Sequence, residues 1–282
     1  MHRRGLPLVV AAVLVPAATL AMVSVGRAQS PARPAARPGT PPASTAQGAP
    51  ARSGRAAGGG GPVRVMALGD SITGSPGCWR ALLWRGLPAH RVDFVGTRPG
   101  RRCGFAHDGH NEGHSGYLAT EVAARELLPG WLSATEPEVV MMHLGTNDVW
   151  RNRPATTILA AFTTLVDQMR AADPEMRIIV AQILPMEPKD CAACGRRVVE
   201  LNAALPGWAA SRSTARSPIS VVDQWTGFDT ATDTSDGVHP NRTGDRKIAR
   251  RWHPAVLAAV TGRQLARRDQ STASSPSSDQ SS

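Results

Sequence analysis

The sequence predicts an α/β domain. It is a three-layer sandwich in which a five-stranded, parallel, doubly wound sheet of the flavodoxin-like type carries helices on both faces. Three observations predict it. Short apolar runs alternate with longer amphipathic ones through the middle of the 282-residue chain. The run Val139–Leu144 is almost unbroken in its apolarity, as a strand buried on both faces requires. The residue types able to carry chemistry fall just after such runs, at the strand ends where doubly wound sheets bind ligands.

The elements follow in order. Val63–Leu68 is the first strand, and Cys78–Leu87 reads as a helix. Val92–Val95 is the second strand, and Leu118–Leu132 the next helical pattern. Val139–Leu144 is the third strand. In the helix Thr156–Ala172, Ile158, Leu159, Phe162, Leu165, Val166 and Met169 recur at spacings of three and four, which makes one apolar stripe. Asp173-Pro174 stops it. Ile178–Leu184 is the fourth strand, ended by Pro185, and the helix Arg196–Ala210 leads to the fifth, Ile219–Val222. A last helix is predicted over Thr243–Val260.

The ends of the chain read differently. Residues 1–28 have the form of a secretory signal: Arg3 and Arg4, an apolar run from Leu6 to Val25, then small residues up to a cleavage after Ala28, which with Pro7 and Pro16 favours cleavage over the alternative of an uncleaved membrane anchor. Residues 29–61, dominated by Pro, Ala, Gly and Arg, and the Ser-rich tail 263–282 are expected to be disordered, because neither can bury enough apolar surface to offset chain entropy. The folded domain is therefore placed at 62–262. The formal charge of +10 sits mostly outside it. Residues 1–61 carry seven Arg and no acid, and 62–262 hold 22 basic against 20 acidic residues. A nucleic-acid-binding domain would carry its basic excess on the folded part, so that class is excluded. No second apolar run is long enough to span a membrane. The expectation is a secreted monomer without stable membrane association after signal cleavage. Four cysteines in an exported chain suggest two disulfides. Cys191 and Cys194, separated by Ala-Ala, are expected to close on each other, which leaves Cys78 to pair with Cys103.

Three loops hold the candidate chemistry. After the first strand comes Gly69-Asp70-Ser71-Ile72-Thr73-Gly74. A serine on such a strand-to-helix turn exposes its hydroxyl beside backbone N–H groups able to stabilise an oxyanion, although a helix-capping role is the plainer alternative. After the third strand comes Gly145-Thr146-Asn147-Asp148, where the Asn amide offers two donors or simply forms a turn. After the fifth lies Ser235-Asp236-Gly237-Val238-His239-Pro240. A carboxylate three residues before a histidine can reach its Nδ1 and set its tautomer.

Gly69-Asp70-Ser71, Gly116, Gly145–Asp148 and Asp236–Pro240 resemble, in order and spacing, the four blocks of the SGNH (GDSL) hydrolases. Gly69–Trp84, Met141–Trp150, Val221–Phe228 and Asp236–Gly244 look more narrowly like carbohydrate esterase family three, the acetylxylan-esterase type. The resemblance covers about residues 63–260. It implies hydrolysis of O-acetyl esters on plant-cell-wall polysaccharide. It also implies Ser71 as nucleophile, His239 as base, Asp236 as its orienting acid, and an oxyanion hole made by the N–H groups of Ser71 and Gly116 and the amide of Asn147. No cofactor and no metal are required. Another ester hydrolase of the same machinery, whether a lipase, a thioesterase or a deacetylase of peptidoglycan or small molecules, is the alternative. A non-catalytic binding module is disfavoured, because every catalytic position holds a competent residue.

Neighbouring residues have plainer expectations. Asp70 is expected to brace the turn by hydrogen bonds. His143 is expected to be a satisfied core histidine, and for His114 a structural or substrate-contact role stands level with a part in the chemistry. His107, Asp108 and His110 lack the ligands for a metal site. Trp208 and Trp252 fall in helical patterns and belong to the core. Tyr117, Trp150 and Trp225 are candidate substrate contacts, since amphipathic rings stack on sugar faces, with burial under the loops as the alternative for the tryptophans. No amphipathic insertion suggests a lid, so the site is expected to be shallow and to accept acetyl rather than long acyl chains.

Overall fold

The computed structural model describes residues 61–74, 77–88 and 91–273, with side chains described to residue 270. The predicted signal segment, the linker up to residue 60 and the tail beyond residue 273 lie outside the described residues. Strand β1 (Val63–Gly69) pairs with β2 (Val92–Val95) on one side and β4 (Val139–His143) on the other. Beyond β4 come β5 (Arg177–Gln182) and β6 (Ile219–Asp223), and every pairing is parallel. A further strand, β3 (Glu112–Gly113), continues the β2 edge by pairing with Leu68 and Gly69. The five predicted strands and their order across the sheet, with the chain reversing direction of travel beside β1, are those of the doubly wound class. The two-residue β3 has no apolar alternation and sits in a Gly-rich stretch, so no pattern in the sequence marks it.

Alternate residues of β1 feed two cores. Val65 and Ala67 join one layer with Trp79, Leu83, Trp252 and Val256, from helices α2 (Trp79–Gly86) and α9 (Arg242–Ala273). Met66 and Leu68 join the other with Phe162 and Leu165 of α6 (Ala155–Ala172) and Leu201 of α7 (Cys194–Arg212). The helix following β1 and the helix following β4 therefore lie on opposite faces. The crevice between the carboxyl ends of β1 and β4 is the switch point at which such sheets place their ligands.

Two expectations need correction. The helix predicted over Leu118–Leu132 is two helices, α3 (Ala119–Ala124) and α4 (Leu127–Thr135), with Glu126 between them at φ 50°. Pro129 lacks the N–H that a continuous helix would donate to Arg125, so the helix restarts and places the proline in its first turn. The tail predicted to be disordered from residue 263 begins as helix, because α9 runs on to Ala273. Arg263 meets Asp173 at 2.8 Å and Glu175 at 2.8 Å, and Arg267 donates to Glu138 at 2.9 Å and to the Gly61 carbonyl at 2.9 Å. Composition taken over 263–282 alone hides these partners, which lie far away in sequence. The two disulfides pair as expected, Cys78 with Cys103 and Cys191 with Cys194.

Candidate active site

The first wall of the site is the turn out of β1. A Cβ on Gly69 would overlap the Thr73 hydroxyl and come within 2.7 Å of the His143 carbonyl, so only glycine allows the strand to enter helix α1 (Ser71–Gly74) here. Asp70 is buried and accepts the Ile72 N–H at 3.0 Å, which braces the turn as expected. Its other oxygen has no hydrogen-bond partner among the described residues. Burial pushes the Asp70 carboxyl up to about 7, against the Ile72 N–H and the His239 charge, which pull it down.

Ser71 Oγ lies 2.9 Å from His239 Nε2, and His239 Nδ1 lies 2.7 Å from Asp236 Oδ2. Asp236 Oδ1 accepts the backbone N–H groups of His239 at 2.7 Å and Val238 at 3.0 Å. Partial burial pushes the Asp236 carboxyl up, but the bonds from His239 and Val238 outweigh it, and the net direction is down. An ionised Asp236 keeps the hydrogen on Nδ1 and leaves Nε2 to accept the Ser71 proton. The loop is pinned from behind: Glu187 N–H donates to the Gly237 carbonyl at 2.9 Å, and a Cβ on Gly237, at φ +84°, would stand 2.5 Å from the Glu187 carbonyl.

The third wall is a turn from His114 to Tyr117, closed by Tyr117 N–H donating to the His114 carbonyl at 3.2 Å. Gly116 sits in it at φ +79°, and its N–H enters no hydrogen bond among the described residues. His114 N–H donates to the Gly69 carbonyl at 2.9 Å, which ties this turn to the end of β1. Asn147, in helix α5 (Thr146–Trp150), spends one amide hydrogen on the Tyr117 carbonyl at 3.1 Å. Four segments that are remote in sequence thus meet at the carboxyl ends of the strands, with a serine, a histidine, a carboxylate and spare N–H donors.

The GDSL-like Lipase/Acylhydrolase family matches residues 67–247, which spans all four segments. Among solved structures, an acetyl esterase variant crystallised with an acetate ion is 35% identical, with 71% of this chain and 99% of that chain covered and a TM-score of 0.65. A carbohydrate esterase family 3 protein from Talaromyces cellulolyticus is 36% identical with the same coverage and a TM-score of 0.65. The chain belongs to the GDSL-like hydrolases, in carbohydrate esterase family 3. A family 3 carbohydrate esterase from Clostridium thermocellum is also similar, at 28% identity and a TM-score of 0.60 over 70% of this chain and 98% of that one. No curated protein matches the chain. As a member of this family, the chain is a carboxylic ester hydrolase.

Other residues of this GDSL-like esterase depart from expectation or were missed. Asp148 is fully buried and accepts Ala119 N–H at 2.8 Å, Thr120 N–H at 3.1 Å and the Thr120 hydroxyl at 2.7 Å. It caps α3 from another loop and so locks the Gly116 turn to the Asn147 helix. Its place beside Asn147 is visible in the sequence, but its partners are not. His143 lies in the core as expected, yet neither ring nitrogen has a partner among the described residues, so it is not satisfied. Burial lowers its imidazole to about 4 and keeps it neutral. Asp108 accepts the Phe94 N–H at 2.7 Å, a structural role, and among the described residues no cluster could hold a metal ion. Trp252 is buried, stacked on Trp79 at 6.1 Å, and Trp208 donates to the Thr163 hydroxyl at 3.0 Å. Trp150 is half-buried against the core, whereas Trp225 is 38% exposed. Neither is hydrogen-bonded to the Ser71–His239–Asp236 line. Tyr117 is half-buried, its ring stacked on His114 at 4.8 Å.

Proposed function

We propose that this esterase removes O-acetyl groups from polysaccharide of the xylan type by way of an acyl-enzyme. The observation that carries the reading is the continuous line Ser71–His239–Asp236, with links of 2.9 and 2.7 Å, at the switch point of the sheet. Ser71 Oγ attacks the acetyl carbonyl as His239 Nε2 takes its proton. The carbonyl oxygen gains charge and is held by the N–H groups of Ser71 and Gly116 and the free hydrogen of the Asn147 amide. His239 then gives the proton to the departing sugar oxygen as its bond to the acetyl carbon breaks, leaving an acetyl ester on Ser71. Water, activated by the same imidazole, releases the acetate and restores the serine. No step calls for a metal or a cofactor.

The similar structures, an acetyl esterase and carbohydrate esterases of family 3, support the acetyl and carbohydrate parts of the reading. The exposed ring of Trp225 suits a sugar face, and Tyr117 and Trp150 complete the candidate contacts. Two disulfides fit an oxidising compartment, and among the described residues no helix is long and apolar enough to cross a membrane. We read the protein as secreted and monomeric. The test is acetate release from acetylated xylan, compared with acetylated peptidoglycan and with p-nitrophenyl acetate, butyrate and octanoate. Acetate is expected to exceed butyrate by about tenfold or more in kcat/KM, since each misfit methylene is worth roughly 1–3 kcal/mol. Octanoate cleaved as fast as acetate would overturn the acetyl reading in favour of a lipase-type activity.

A further inference from the structure

Beside the Gly116 turn stands a pair of ionisable side chains that the proposed steps do not use. Glu112 is fully buried in β3. Its Oε1 accepts the Thr97 hydroxyl at 2.7 Å and His114 Nε2 at 2.6 Å, and its Oε2 accepts the Thr97 N–H at 2.7 Å. The His114 ring packs in one cluster with Tyr117, at 4.8 Å and 22°, and Trp131, at 4.3 Å and 12°, whose own centroids lie 6.4 Å apart. The backbone of the same residue bonds Gly69 through its N–H and Tyr117 through its carbonyl. His114 is therefore held by two ring contacts, at one ring nitrogen and at both backbone groups, and the Gly116 amide hangs from it two residues on.

So much constraint on one residue exceeds what closing a four-residue turn needs. A buried carboxylate is a costly group to place in a core, and a short bond to a ring nitrogen is more directional than the apolar contacts that could replace it. We propose that Glu112 and His114 form a positioning pair that aims the Gly116 N–H at the oxyanion. The pair rests on the reading of Gly116 as a donor given under Proposed function. A donor works only when it lies within hydrogen-bond reach of the oxyanion, so a loosened turn should weaken binding of the transition state and spare binding of the ester.

The test uses the full chain with His114→Ala, His114→Gln and Glu112→Gln, and Asn147→Ala as a reference. His114→Ala should lower kcat by about ten- to thirtyfold, within the range of a misplaced group, with KM within about twofold. It should weaken a tetrahedral boronic-acid analogue by the same factor. His114→Gln, which keeps an amide hydrogen for Glu112, should recover part of the loss. A merely structural role would lower the melting temperature and leave kcat of the folded enzyme and the analogue's affinity unchanged, and that result overturns the pair. Should His114→Ala fail to fold, Glu112→Gln decides: a fall in kcat of several-fold at constant KM supports the pair, and unchanged kcat overturns it. A large loss in Asn147→Ala beside unaffected His114 and Glu112 variants refutes the pair alone. An unaffected Asn147→Ala refutes the oxyanion assignment itself, and the pair's role with it.

Discussion

The two ends of the sheet are built on opposite principles. At the amino ends of the strands, Glu138 before β4 and Asp173 and Glu175 before β5 meet Arg263 and Arg267 of α9 in a network in which the charges share partners. At the carboxyl ends, Asp70, Thr73, His143 and Thr146 each keep a buried polar atom without a partner among the described residues. Unpaired buried polar groups cost stability, and they concentrate where strain and poise serve chemistry. One end holds the domain together, and the other brings a serine and a histidine within hydrogen-bond reach.

The largest expected effect tests the second half of that contrast. Ser71→Ala should lower kcat by roughly 10⁵–10⁶, as loss of a serine nucleophile does elsewhere, with no loss of melting temperature. Asn147→Ala should follow at about 10²–10³, the cost of one oxyanion donor. Steady-state rates with p-nitrophenyl acetate beside thermal melts decide both, and an Asn147→Ala enzyme at full kcat would remove that residue from the hole.

Asp236 sharpens the picture, because its side chain is 53% exposed. Water screens part of its charge, so its support of the imidazolium is weaker than that of a buried acid. Asp236→Asn should therefore cost about 10²–10³, below the roughly 10⁴ of a buried triad acid. A loss under tenfold would make the enzyme a Ser–His dyad with Asp236 as a turn residue. The amino end should answer in the opposite currency. Arg263→Ala leaves Asp173 and Glu175 short of a partner and should destabilise by about 1–3 kcal/mol while kcat stays unchanged. A change in kcat there would mean that the two ends are coupled.

How much of this was legible in the sequence follows the same division. The strands were legible because burial on both faces makes them apolar runs, and Ser71, Asn147, Asp236 and His239 because each sits just after such a run. The extension of α9 was not, because Arg263 and Arg267 find their acids about 90 to 130 residues away in sequence, as Asp173 and Glu138 do. Asp148 and Glu112 were equally silent as supports. A carboxylate that caps a distant helix or holds a distant threonine leaves no periodicity behind. His143 was legible as core but not as unsatisfied, since its surroundings come from other strands.

The smallest expected effect concerns those two buried groups beside Gly69, and its signs are opposed. Asp70 is held at about 7 when folded, against 3.8 for a free carboxyl. The folded state then keeps a proton that the unfolded state releases, so the contribution of Asp70 is full below pH 3.8 and is lost as pH rises towards about 7. His143 is held at about 4, against 6.5. Its contribution is full above pH 6.5 and is lost as pH falls towards about 4. Between those limits the two slopes oppose each other. Asp70→Asn leaves His143 alone, so its melting temperature should fall as pH drops from 6.5 to 4. His143→Met leaves Asp70 alone, and a flexible apolar side chain suits the position beside Met141 and Met142. Its melting temperature should fall as pH rises from about 4 towards about 7. Melting curves at half-unit steps of pH for the three proteins read these slopes directly. Parallel profiles in all three would show that neither group titrates differently on folding.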